Sequence, residues 1–167
     1  MSDDFAAGLA DIGSKSGVSE FDFAAASVGT LPMRPAPIRP QWIIEGEPVA
    51  RVAPLARSVD GFANTAVWDC TAGKFHWYYG GDEAVYILQG SVEVTAPDGS
   101  RRLLRAGDTA YFPAGSWFRW HVRDNVRKVA FNHSVLPPFV RFQMKMARKL
   151  RQIGHKLFGD AQVPGRK

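Results

Sequence analysis

Between Gly73 and Gly90 lie Lys74, His76, Tyr78 and Glu83: an ammonium, an imidazole, a phenol and a carboxylate. An imidazole next to a carboxylate can work as a general acid and base. A carboxyl group taken out of water holds its proton more tightly, which suits it to that work. Glu83 and His76 are therefore the candidate catalytic residues. A bland alternative stands beside this one: Glu83 only bridges a hairpin by accepting hydrogen bonds, and His76 is a solvated histidine at the rim. A transition metal would need three or four converging donors, and here only His76 and Glu83 qualify. Tyr78 could add a third only by ionising, against a reference pKa of about 10. No cofactor is expected; if a divalent transition metal binds, His76 and Glu83 are its ligands.

Side chains alternate along a strand, so Lys74, His76 and Tyr78 share one face and Phe75, Trp77 and Tyr79 the other. Gly80-Gly81 turns the chain, and Glu83 then begins the returning strand close to Tyr78 and His76. A second stretch, Gly107 to Phe118, repeats the logic with turns at Gly107-Asp108 and Pro113-x-Gly115, after which Phe118 and Trp120 could wall a pocket. The candidate ligand-binding residues are thus Lys74, His76, Tyr78, Glu83, Phe118 and Trp120. The expectation is that the imidazole of His76, the phenol of Tyr78 and the carboxylate of Glu83 converge inside a closed all-β container.

The elements that would position them are short runs of aromatic and β-branched residues separated by turn signals from Trp42 to Phe131, such as Gln89-Gly90, Pro97-Asp98-Gly99 and Asp124-Asn125. About nine strands with no helical pattern between them predict an antiparallel sandwich or barrel over residues 41–134. Residues 1–40 read as a flexible arm ending in a Pro-rich linker or edge segment. Beyond Pro137-Pro138, Phe139, Phe142, Met146, Leu150, Ile153 and Leu157 recur at helical spacing, so 135–167 predict a basic amphipathic helix and tail.

These turns resemble the cupin motifs. In G-x5-H-x-H-x4-E-x6-G the two histidines, the glutamate and the last glycine align with His76, Tyr78, Glu83 and Gly90. In G-x5-P-x-G-x2-H, Gly107, Pro113, Gly115 and Phe118 align. Two of four usual ligand positions are thus changed, at Tyr78 and Phe118. More narrowly, Trp68-Asp-Cys70-Thr-Ala-Gly73-Lys-Phe75, Asp82-Glu83, Ala106-Gly107-Asp108 and Val126-Arg127-Lys128 resemble the ureidoglycine aminohydrolase-type single-domain cupins. The resemblance covers roughly 41–132. It implies an all-β double-stranded β-helix, or jelly-roll, barrel with a pocket at one mouth, often dimeric.

Length and charge narrow the function classes. A chain of 167 residues suits one domain with tails. Its formal charge of +5 divides into +7 within residues 139–167 and −2 elsewhere, which argues against a nucleic-acid surface on the barrel. The single Cys70 reads as packed, Arg101-Arg102 and Arg127-Lys128 as solvated strand edges, and the lack of a leader pattern as a cytoplasmic location. The leading expectation is a small-molecule-binding cupin and homodimer whose ligand is a small carboxylate, amino or ureido metabolite. A metal-dependent hydrolase, lyase or isomerase, and a non-catalytic regulatory or assembly module, are the alternatives. A membrane surface met through residues 139–158 is a minor one.

Overall fold

The structure, a computed structural model, describes residues 24–135 together with Met146. The chain divides into two compact units, Met1–Val135 and Leu136–Lys167. The helix expected over 139–158 therefore lies outside the described residues, Met146 apart. No described helix is long and apolar enough to cross a membrane.

Among the described residues eight strands make one antiparallel sheet: β1 (Arg34–Pro35), β2 (Ile43–Glu45), β3 (Ala50–Arg57), β4 (Ala63–Tyr79), β5 (Asp82–Thr95), β6 (Arg101–Arg105), β7 (Thr109–Phe112) and β8 (Ser116–His133). Their order is β1-β3-β4-β8-β5-β6, with β2 also on β4 and β7 also on β5. The sheet curls, because rings from strands that are not neighbours meet inside it. Tyr79 of β4 stacks on Phe112 of β7 with centroids 4.5 Å apart and planes 2° from parallel. The Pro-rich segment joins this body: Arg34–Pro35 pairs with β3, and Ile38 is buried in the core.

Fewer and longer strands form than the turn signals suggest. Gln89-Gly90 and Asp124-Asn125 do not end strands; they lie within β5 and β8 and face each other, Gly90 opposite Val126. The register slips on both sides of this point, between Ile87 and Gln89 and between Gly90 and Val92, so the pair is a bulge that bends two long strands together. Gly90 has φ 73°, and a Cβ there would stand 2.0 Å from the Asn125 carbonyl oxygen. Only glycine fits the corner.

β8 is the central strand, paired along its length with β4 on one side and β5 on the other. Side chains from these three strands build the core around Phe75, Ile87, Val92, Trp120, Val122 and Val126, all essentially without solvent contact. At about 25 cal/mol per Å2 of apolar surface, burial on this scale is the main stabilising term.

Candidate functional site

Which face of β4 looks inward changes along its length. Trp68 and Cys70 are buried, so regular alternation would carry Lys74, His76 and Tyr78 to the same side. A bulge between Thr71 and Gly73 reverses the parity, and from there Phe75, Trp77 and Tyr79 point inside. The expected convergence of His76, Tyr78 and Glu83 is corrected accordingly: His76 is exposed and Tyr78 half-buried on the outer face, while Glu83 is buried within.

On the outside, Trp117 is ringed by Trp42, Tyr78 and His76, with centroids 5.3, 5.0 and 6.5 Å away. Lys74, also outside, forms an ion pair with Glu45 of β2 and holds that carboxyl below its ordinary range. These three predicted ligand-binding residues thus lie on the outer face of β4, His76 and Tyr78 about Trp117 and Lys74 against Glu45. Glu83, Phe118 and Trp120 form the other group, about the interior.

The interior group holds a residue whose type and basic neighbour predict a solvated edge. Lys128 is 4% exposed and Glu83 5%, and the Lys128 ammonium donates to Glu83 Oε1. Lys128 sits on the inward parity of β8, between Val126 and Ala130, with Trp68 directly across on β4 and Ile87 across on β5. Its Nζ lies 4.9 Å from the Trp120 ring centroid and 5.1 Å from that of Trp68, within reach of both π faces. An ammonium buried in this way is held by one carboxylate and two indoles. The alternation Val126-x-Lys128-x-Ala130 was the available signal for its burial.

Three more polar atoms accompany the pair. Trp68 Nε1, Trp120 Nε1 and the Tyr79 hydroxyl are buried and have no hydrogen-bond partner among the described residues. Burial pushes the Tyr79 phenol well above its ordinary pKa, and the negative charge of Glu83 adds to the shift. The nearby Trp120 indole opposes it without reaching hydrogen-bond geometry. Leaving a buried donor unpaired costs about 1–3 kcal/mol, so this corner offers donors to acceptors that the described residues do not supply.

The ligand set of a metal-binding cupin does not fit here. His76 and Glu83 lie on opposite sides of the sheet, and the Glu83 carboxylate faces an ammonium. Directly across from Glu83 on β7 is Phe112, whose ring meets those of Tyr79, Trp120 and half-buried Phe118. Among the described residues no three His, Cys, Asp or Glu side chains cluster as a metal site would require. Cys70 is no better as a nucleophile. Desolvation first, and then the charge of Asp69, push its thiol up to about 12, far from the thiolate state that reactivity needs.

Beside this interior lies an open groove of about 420 Å3 between β6 and β7, which both pair with β5 but not with each other. Its floor is Val94, Leu104, Phe112 and Phe118. Phe112 and Phe118 each touch Tyr79, with centroids 4.5 and 5.7 Å away, so the groove and the polar interior share a wall.

Residues 57–130 match the model of the EutQ-like cupin domain. Among solved structures, the chain is similar to a DUF861-family protein of unknown function from Pseudomonas syringae pv. tomato, at 23% identity over 62% of this chain and 45% of that one, with a TM-score of 0.57. It is similar to the cupin domain of Schizosaccharomyces pombe Cnp3 at 14% identity, covering 66% and 69%, TM-score 0.51. A putative ethanolamine utilization protein Q from Salmonella typhimurium matches at 21% identity, covering 53% and 72%, TM-score 0.47. At these identities the likeness to the first two is one of fold. No curated protein matches the sequence.

Proposed function

We propose, on the premise that residues 57–130 of this chain are a cupin domain, that the barrel binds a small polar metabolite at the Glu83–Lys128 corner without a metal ion. The observation that carries this reading is the set of three buried, unpartnered donors around an internally paired ammonium and carboxylate. A metal in such a barrel supplies a fixed positive charge to an anionic or carbonyl oxygen. Lys128 brings a positive charge to the same interior, and the Trp68 and Trp120 N–H groups add donors for oxygen. Glu83 can accept from an N–H of the ligand. That donor and acceptor pattern suits a carboxylate, amino or ureido compound.

A panel of small carboxylates, amino acids and ureido compounds, followed by thermal denaturation, tests the reading. Saturating ligand stabilises a folded protein by about 2.7 kcal/mol at a hundredfold excess over Kd. At least one class should raise the Tm of the wild-type protein and leave that of Lys128→Met/Glu83→Leu unmoved. That double variant removes both charges together, which buried pairs generally tolerate. No shift with any class, or an equal shift in the double variant, contradicts the proposal.

A further inference from the structure

The groove beside the interior has a polar lining that is almost wholly committed. Thr109 Oγ donates to the Val85 carbonyl at 2.8 Å, and Asp108 Oδ2 accepts from the Arg105 amide at 2.7 Å. Asp82, whose carboxylate holds the Tyr111 phenol above its ordinary pKa, accepts from the Ala114 amide at 2.9 Å, and Asp98 accepts from the Ser100 amide at 2.9 Å. Arg102 is the exception. It lines the groove, shares the inward parity of Leu104 on β6, and has no hydrogen-bond or ion-pair partner among the described residues. The neighbouring Arg101, by contrast, lies 3.9 Å from Glu93.

We infer that Arg102 is an anchor for the carboxylate of a small ligand whose apolar body lies on Phe112 and Phe118. A guanidinium presents a planar fork that matches a carboxylate with two parallel N–H···O bonds. The floor beneath it is apolar and aromatic, and a volume of about 420 Å3 is of small-molecule size. A ring or short apolar chain bearing one carboxylate satisfies both surfaces; a neutral amide of the same shape satisfies only the floor. The inference rests on the barrel being a ligand-binding site and adds a specificity determinant on the far side of the Phe112–Phe118 wall.

The test is a titration of full-length protein with phenylacetate, phenylacetamide and acetate, followed by amide chemical shifts or calorimetry. The acid should bind saturably and at least about tenfold more tightly than the amide, as expected for loss of a charge-assisted pair. Acetate, lacking the ring, should be similarly weak. Arg102→Gln, on an exposed strand position, should abolish the preference for acid over amide while leaving the Tm unchanged, and Arg102→Lys should restore part of it. Phe118→Ala should weaken acid and amide together. Equal binding of acid and amide, an acid preference that survives Arg102→Gln, or no saturable binding of phenylacetate overturns the inference. If other ligands shift the wild type and Arg102→Gln equally but fail with Lys128→Met/Glu83→Leu, the interior site stands and the anchor does not.

Discussion

Two polar clusters one side chain apart on β4 meet opposite fates. On the outer face His76 and Tyr78 stand beside Trp117 in partial or full contact with water, and Lys74 pairs with Glu45 at the surface. On the inner face Tyr79 lies near Glu83 and Lys128 amid indole and phenyl rings. The outer charges are solvated and screened, so each contributes little and can be removed alone. Among the described residues the inner charges have only each other and two π faces, so they stand or fall as a pair. Chemical variety on one strand face is therefore a poor guide to a site; dehydration is a better one.

The largest effect should follow from breaking the inner pair. Lys128→Met leaves the Glu83 carboxylate buried and unpaired, and is expected to cost about 3–5 kcal/mol in urea-induced unfolding. A cost below about 1 kcal/mol would mean that solvent reaches the carboxylate and the interior is wet. His76→Ala and Tyr78→Phe, one face away, should change stability by no more than about 0.5 kcal/mol. A large loss from either would move the functional centre back to the outer cluster.

Alkaline titration sharpens the comparison further. Cys70, with its thiol pushed up to about 12, and Tyr79, raised well above 10, both surrender protons more readily in the unfolded chain. Their contribution is intact below the unfolded values of about 9 and 10 and is lost as pH climbs through the folded ones. Stability should thus decline from about pH 9 upward, and Cys70→Ser/Tyr79→Phe should flatten the slope. A slope that the double variant leaves unchanged would place the alkaline sensitivity elsewhere. The smallest effect is a rate: iodoacetamide at pH 8 should leave Cys70 unmodified in native protein and label it after unfolding. Prompt labelling of the native state would show that side of the core to be open.

Much of the fold was legible from local sequence. Aromatic and β-branched runs divided by Gly80-Gly81, Pro97-Asp98-Gly99 and Pro113-Ala-Gly115 do mark strand ends, because those residues favour turn geometry wherever they occur. Gly90 and Asn125 misled, since a glycine with positive φ serves a bulge as well as a turn, and only the opposing strand distinguishes them. The half-legible site has the same origin. The inward placement of Glu83, Phe118 and Trp120 followed from spacing, but one inserted residue near Gly73 reversed the face of Lys74, His76 and Tyr78. Lys128 was hidden by its type, as lysine is rarely buried, and by Arg127 beside it.

A double-mutant cycle on Glu83 and Lys128, measured by urea unfolding, tests the central claim most directly. With Glu83→Leu, Lys128→Met and the combined variant, the account predicts a double variant far more stable than the two single losses would sum to, with a coupling of at least about 2 kcal/mol. Additive losses within about 0.5 kcal/mol would show that the two charges do not depend on one another, and would contradict it.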